Sequence, residues 1–413
     1  MRRESDEAIG PAAHFLRFSM HKLFALVFLT TAVLPATAQP KKQLGEIGVE
    51  VANAAIGIRV SANSPELQAL AQTAFRSHGR YKLVGSGHSY DLKFTALSAT
   101  QVRVDITKGA AATPVASQVV TGNSARNALL RAADVAVEKT SGLNLRGYFT
   151  GRLVFVSQRS GKSEVYSSDL FLGEAKQLTR DGALAMTPRW APDGSRIIYT
   201  SYFKSGAPDI YLLDPNTGRR DIFINYRGTN MGARFSPTGQ QVAMILTGEG
   251  SPEIYVRNAQ GGPVSRKTRS ESVKSSPCFS PDGSQILFAM EPGPQLYVMS
   301  AAGGSPRRLS SQFSYMAEAD WSRTERNKIV CTVRVGGRYQ LAVIDASNGQ
   351  GKQVSQAPFD AIEPSWLADG RHVVYTARDR RTSVLCILDT DTGKSTPITP
   401  VESAALQASV WTP

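Results

Sequence analysis

The sequence predicts an all-β six-bladed β-propeller preceded by a small α+β domain. Three observations carry this prediction. An aromatic residue followed by a Pro-Asp-Gly-like turn and an apolar strand recurs at Trp190, Phe235, Phe279, Trp321, Trp366 and Trp411. The steps between these aromatics are 45, 44, 42, 45 and 45 residues, a repeat length that all-β units use for propeller blades. Before residue 145 the pattern is different, with helical and strand periods mixed.

The chain has 413 residues, which suits two domains rather than one core. Its formal charge is +13. Such a charge fits nucleic acid, anionic lipid or an acidic protein partner, but no dense Lys/Arg run is present, so a generally basic surface is the plain reading. Met20-His-Lys22, the apolar run Leu23 to Leu34 and Pro35-Ala-Thr-Ala38 read as a secretory signal peptide over residues 1–38, cleaved before Gln39. The apolar run is shorter than the roughly 20 residues of a spanning helix. Residues 1–19 are unlike a signal start, which makes Met20 the expected first residue. No Cys follows the cleavage point, so no lipid anchor is expected there. Cys278, Cys331 and Cys386 lie in different repeats and read as buried free thiols.

Residues 39–145 begin with a polar leader, 39–50, expected to be mobile. Ile56, Ile58 and Val60 alternate as a strand. Ser64 caps a helix with Pro65 at its first position and Gly79 at its end, and Leu67, Leu70, Ala71, Ala74 and Phe75 form its apolar stripe. Leu92, Phe94 and Ala96, then Val102, Val104 and Ile106, read as two more strands. Asn123 caps a second helix with Ala128, Leu129, Ala132, Val135 and Ala136 inward. Gly142 to Thr150 is a linker.

From 151 to 413 each repeat has the same order: aromatic strand, tight turn, second strand, polar loop, third strand and fourth strand. Residues 151–179 lack the aromatic strand, and Ala408–Pro413 supplies one. The last strand therefore closes the ring on the first blade, which removes exposed sheet edges. The six aromatics are expected to be core anchors, with Trp411 buried in the place that Trp190 holds in the next blade.

Little in the sequence carries chemistry. Gly85-Ser-Gly-His-Ser89 has an enzyme-like look but lacks the glycine of a nucleophile elbow, and reads as a tight turn between helix and strand. His78, His88 and His372 are too few and too scattered for a metal centre. Asp193, Asp282 and Asp369 each recur at one turn, where local hydrogen bonding explains them. No converging carboxylates or histidines stand out on the channel strands. No catalytic residue, metal or cofactor is expected.

The export signal, the α+β domain, the aromatic-Ser-Pro-Asp-Gly repeats, the stretch Gly147-Tyr-Phe-Thr-Gly-Arg-Leu-Val-Phe-Val-Ser157 and the terminal Trp-Thr-Pro together resemble the TolB family, periplasmic β-propeller proteins of the Tol–Pal system. The resemblance covers nearly everything after residue 45. It implies a non-enzymatic periplasmic adaptor for outer-membrane integrity and cell division. One propeller mouth would bind a Pal-like peptidoglycan-associated lipoprotein, and the leader a TolA-like inner-membrane protein. Carried over by position, the lipoprotein contact falls on loops before the aromatic strands, at Thr229, Gly232 and Ser275. Alternative readings are a propeller accessory domain of a prolyl-oligopeptidase-like hydrolase, or a propeller enzyme with a site in its channel.

Overall fold

The computed structural model describes residues 54–413. The signal-peptide and leader readings lie outside them. Among the described residues no helix is long and apolar enough to cross a membrane.

The N-terminal part is a five-stranded sheet with two helices. The strands are β1 (Ile56–Ala62), β2 (Tyr81–Leu83), β3 (Tyr90–Ala96), β4 (Gln101–Lys108) and β5 (Thr113–Thr121), in the order β2-β1-β3-β4-β5. β1 pairs in parallel with both β2 and β3, and β3, β4 and β5 run antiparallel. Helix α1 (Pro65–Ser77) starts where Ser64 accepts a hydrogen bond from the Leu67 amide. The cap of α2 (Ala125–Thr140) is Ser124, which accepts from the Asn127 amide, rather than Asn123 one residue earlier. Two strands escape the sequence reading. β2 has only three residues, and β5 is a largely exposed edge strand whose Pro114 hides its pattern. The Gly85–Ser89 turn joins β2 to β3, and so lies between two strands rather than between helix and strand.

Gly79 does not terminate α1, which ends at Ser77 with His78 as its cap. A β-carbon at Gly79 would overlap the Asp389 carboxylate, so glycine here permits the α+β domain to touch the propeller. The 142–150 segment is a packed strap. Tyr148 and Phe149 are fully buried, and Asp134 of α2 accepts hydrogen bonds from the Phe149 amide (2.7 Å), the Thr150 amide (3.1 Å) and the Thr150 hydroxyl (2.8 Å). Arg126 of α2 holds Asp169 of the first blade at 2.8 Å. One hydrophobic core runs from α1 and α2 through Tyr148 and Phe149 to Leu153, Leu367, Leu385 and Ile387.

The propeller has six four-stranded antiparallel sheets. The innermost strands are Ala185–Trp190, Asn230–Phe235, Lys274–Phe279, Met316–Trp321, Asp360–Trp366 and Ala405–Trp411. The last of these pairs with Arg152–Ser157, from Ala405 opposite Ser157 to Trp411 opposite Arg152, and so closes the ring as expected. Trp190, Phe235, Phe279, Trp321 and Trp366 are buried in the cores between blades. Trp411 is not their equivalent. Val410 faces Leu153 as Trp190 faces Ile197, so Trp411 sits one residue later and is only half-buried. A one-residue shift moves a side chain to the other face of a strand. Trp411 instead lies over Gly194 and near Trp190, with its indole N–H donating to the Pro192 carbonyl at 2.9 Å. The three cysteines are free and buried.

Every innermost strand carries a register shift, and a residue in the left-handed region marks each one: Thr187, Gly232, Ser276, Glu318, Glu363 and Gln407. Such a bulge re-aims the strand and turns a backbone N–H toward the neighbouring blade. Glu318 accepts the Glu363 amide (3.0 Å), Glu363 accepts the Gln407 amide (3.1 Å), and Gln407 accepts the Thr187 amide (2.8 Å). These bonds stitch adjacent blades around the channel and across the closure seam.

Candidate functional site

A propeller offers two mouths and a channel, and each holds a distinct set of side chains here. The first mouth is formed by connections from the outermost strand of one blade to the innermost strand of the next. Six large apolar side chains of the propeller are exposed: Leu184, Phe203, Ile222, Tyr226, Val273 and Val401. All but Ile222 lie at this mouth, four in the inter-blade connections and Phe203 in the loop between second and third strands. Isolated exposed apolar residues are ordinary; several at one end of a scaffold mark an interaction surface.

Several loops at this mouth are pinned from below. In four blades a buried polar residue at or near the start of the third strand bonds to the loop backbone. Glu164 accepts the Asp181 and Gly182 amides, both at 2.8 Å. Glu253 accepts the Ser270 amide at 2.6 Å, Gln340 accepts the Ala357 amide at 2.9 Å, and Gln295 donates to the Ser314 carbonyl at 2.7 Å. Asn230 donates to the Tyr226 carbonyl at 2.8 Å and to Asp209 at 3.3 Å. Lys274 lies 2.9 Å from Glu253, and both are 1% exposed. Burial works to raise the Glu253 pKa, but the Thr268 hydroxyl, the Ser270 amide and Lys274 outweigh it and hold the carboxyl below its ordinary value.

The residues carried over by resemblance occupy this end of the ring unevenly. Thr229 is at the rim, half-buried, with its amide bonded to the Thr247 hydroxyl at 2.7 Å. Gly232 and Ser275 are not in loops; both lie within innermost strands. Gly232 is the bulge residue of its blade, with φ near +65°, so any side chain there strains the backbone. Sequence reasoning missed Leu184, Tyr226 and Val273. Their signal was available: each follows the short fourth strand and interrupts an otherwise polar loop.

The second site is buried where the α+β domain meets the propeller. The histidines are not scattered: His78 and His372 stack edge to face with ring centres 4.3 Å apart, and both are 0% exposed. His372 Nδ1 is 2.5 Å from Asp369, and Nε2 is 3.5 Å from Asp389. Arg371 forks onto Asp389 at 3.0 and 2.7 Å. Asp369 therefore departs from Asp193, which accepts from Ser195, and Asp282, which accepts from Ser280 and Ser284, all within their own turns. Atoms of metal-ligand type on His78, Asp369 and His372 lie within 4.8 Å of one another. His78 Nδ1 already accepts the Arg80 amide, Asp369 holds His372, and Arg371 adds positive charge alongside, so the cluster is built as an ion-pair network.

Burial works to lower the His372 pKa, but Asp369 and then Asp389 outweigh it and raise it to about 9. Burial and the charged His372 hold His78 well below its ordinary value. The folded pKa of His372 exceeds the unfolded one, so its stabilisation is complete below pH about 6.5 and is lost as pH rises toward about 9. His78 acts oppositely, and its contribution is lost as pH falls below about 6.5. The stability difference between wild type and His372→Gln is expected to shrink by about 3 kcal/mol from pH 6.5 to 9. Chemical denaturation at those two pH values checks this; a constant difference contradicts a charged His372.

The channel holds two carboxylates that the sequence reading did not bring together. Glu318 and Glu363 sit at the bulges of adjacent blades. Burial and then the neighbouring Glu363 raise the Glu318 pKa. Thr332 donates to Glu318 and Thr376 to Glu363, both at 2.8 Å, and each glutamate also accepts a bulge amide. The bulge-amide bonds join neighbouring blades, and the threonine bonds fix each glutamate within its own.

These features define a closed six-bladed propeller with a docked α+β domain and one apolar-studded mouth. The model of the TolB beta propeller domain family matches residues 138–413, and the chain belongs to that family. It is 34% identical over 164 residues to a "Protein TolB homolog" of Chlorobium luteolum, covering 39% of this chain and 37% of that one. It is 31% identical over 175 residues to a "Tol-Pal system protein TolB" of Bordetella pertussis, covering 42% and 39%. The matched stretch thus spans under two fifths of either relative. The crystal structure of TolB from Acinetobacter baumannii superposes with a TM-score of 0.76 at 22% identity, over 87% of this chain and 97% of that one. This last likeness shows a shared fold.

Proposed function

We propose that this protein is a non-enzymatic periplasmic adaptor of a Tol–Pal-type envelope complex, and that the apolar mouth binds a Pal-like peptidoglycan-associated lipoprotein. One observation carries the reading: five exposed apolar side chains gather at one end of the ring, and the loops of three of them, Leu184, Tyr226 and Val273, have backbones fixed by the buried Glu164, Asn230 and Glu253 side chains. Rigid loops lose little entropy on binding, and functional residues concentrate on loops held by a rigid scaffold. Family membership and the names of the relatives give the partner class. The leader 39–50 is assigned to a TolA-like inner-membrane partner, as the family likeness implies.

Replacing Tyr226 and Val273 with Ala is expected to weaken binding of a soluble Pal-like domain at least tenfold, about 1.4 kcal/mol or more. Both side chains are exposed, so the melting temperature stays unchanged. Calorimetric titration reads the affinity. Undiminished binding by the folded double variant removes this mouth as the lipoprotein site. Deleting residues 39–45 in a separate chain is expected to spare that binding and abolish capture of a TolA-like domain.

A further inference from the structure

The opposite mouth, on the side of the Pro-Asp-Gly turns, holds a cavity of about 190 Å³. Pockets for drug-sized ligands are roughly 300–1,000 Å³, so any occupant is small. Arg189 and Arg234 reach it from innermost strands, Arg323 from a blade turn, and Arg146 from the strap between the domains. Asp320 is the one carboxylate on its wall. Both its oxygens are engaged: Oδ1 lies 2.6 Å from Arg234, and Oδ2 accepts the Trp366 amide at 2.9 Å. Four arginines against one aspartate leave a net charge of +3 around a small pocket that is partly open to solvent.

Arg189 donates to the carbonyls of Pro188 (3.1 Å) and Ala408 (3.4 Å), and no carboxylate lies within ion-pair distance of it among the described residues. Burial, and then the neighbouring Arg234, push its pKa down to about 9. A guanidinium withdrawn from water and placed beside another is costly unless an anion joins it.

We propose that this cavity binds a small oxyanion, a carboxylate or phosphate group, held by Arg189 and Arg234 with Arg323 and Arg146 at the rim. Guanidinium forks match the oxygens of both groups. The site lies at the other end of the channel from the apolar mouth and does not depend on what that mouth binds.

Inorganic phosphate and citrate, each titrated into the full chain by calorimetry in chloride buffer of matched ionic strength, test this. At least one is expected to bind saturably at one site and to raise the melting temperature. Binding of phosphate alone assigns a phosphate group, and binding of citrate alone assigns a carboxylate. Arg189→Met and Arg234→Met are each expected to weaken binding at least tenfold, whereas Arg381→Met, on an exposed turn, leaves it unchanged. Arg234→Met also strands Asp320, so Arg323→Met at the rim serves as a second variant should that one fail to fold. In chloride alone Arg189→Met is expected to melt no lower than wild type, since it removes an unpaired charge. The absence of saturable binding by either anion, or binding that survives both Arg189→Met and Arg323→Met, overturns the proposal.

Discussion

Removing residues 405–413 is expected to leave a chain that is poorly soluble or melts far below wild type. The deletion takes away the innermost strand of the first blade, with its ladder to Arg152–Ser157. It also removes Gln407, which accepts the Thr187 amide of the next blade and donates its own amide to Glu363. Trp411 leaves the packing around Trp190 and Gly194, and Val410 leaves the core that holds Leu153. Truncating a fully buried tryptophan costs about 3–5 kcal/mol and the half-buried Trp411 less, so the lost ladder and Gln407 bonds add to that against a total stability of roughly 5–15 kcal/mol. An open strand edge then invites aggregation. Size-exclusion profile and circular dichroism melt read the outcome. A monomeric chain with the wild-type melting temperature contradicts closure by this strand. Because Trp411 is half-buried, Trp411→Ala alone is expected to cost less than truncation of a fully buried tryptophan.

Asp389→Ala is expected to destabilise the protein by about 3–5 kcal/mol, the range for stripping one partner from a buried ion pair. Asp389 is fully buried beneath Gly79, and it is the shared partner of Arg371 and His372. Without it the Arg371 guanidinium, 2% exposed, keeps only the partly exposed Asp391 at 3.1 Å. The loss falls at the contact between the α+β domain and the propeller, so protease cleavage within the 142–150 strap should accelerate alongside the fall in melting temperature. A variant with wild-type melting and wild-type strap protection shows that the network contributes no stability.

Much of the architecture is visible in the sequence because it rests on local signals. Ser64-Pro65 starts a helix by satisfying its first amides, and the Asp-Gly turns follow from side-chain hydrogen bonds and positive φ. The regular aromatic spacing gives the blade count, since each repeat must bury its face against the next. The missing strand before residue 151 and the surplus one at the end disclose the closure. Local signals fail where pairing is decided elsewhere. Trp411 keeps the spacing of the other aromatics but not their register, because the ladder with Arg152–Ser157 places Val410 in that position.

The sites are less legible, for the same reason. His78 and His372 are 294 positions apart, and only docking of α1 on the sixth blade makes them neighbours. Gly79 looks like a helix terminator, yet its small size serves a contact with Asp389. Arg189, Arg234 and Arg323 are dispersed over the chain and form no basic run; the ring points them into one cavity. By itself the sequence determined fold class, blade number, ring closure and family, all of which follow from short-range periodicity and turn chemistry. Tertiary structure alone decided which side chains share an environment. Charge, burial and proton affinity depend on distance through space, which repeats and spacings along the chain do not encode.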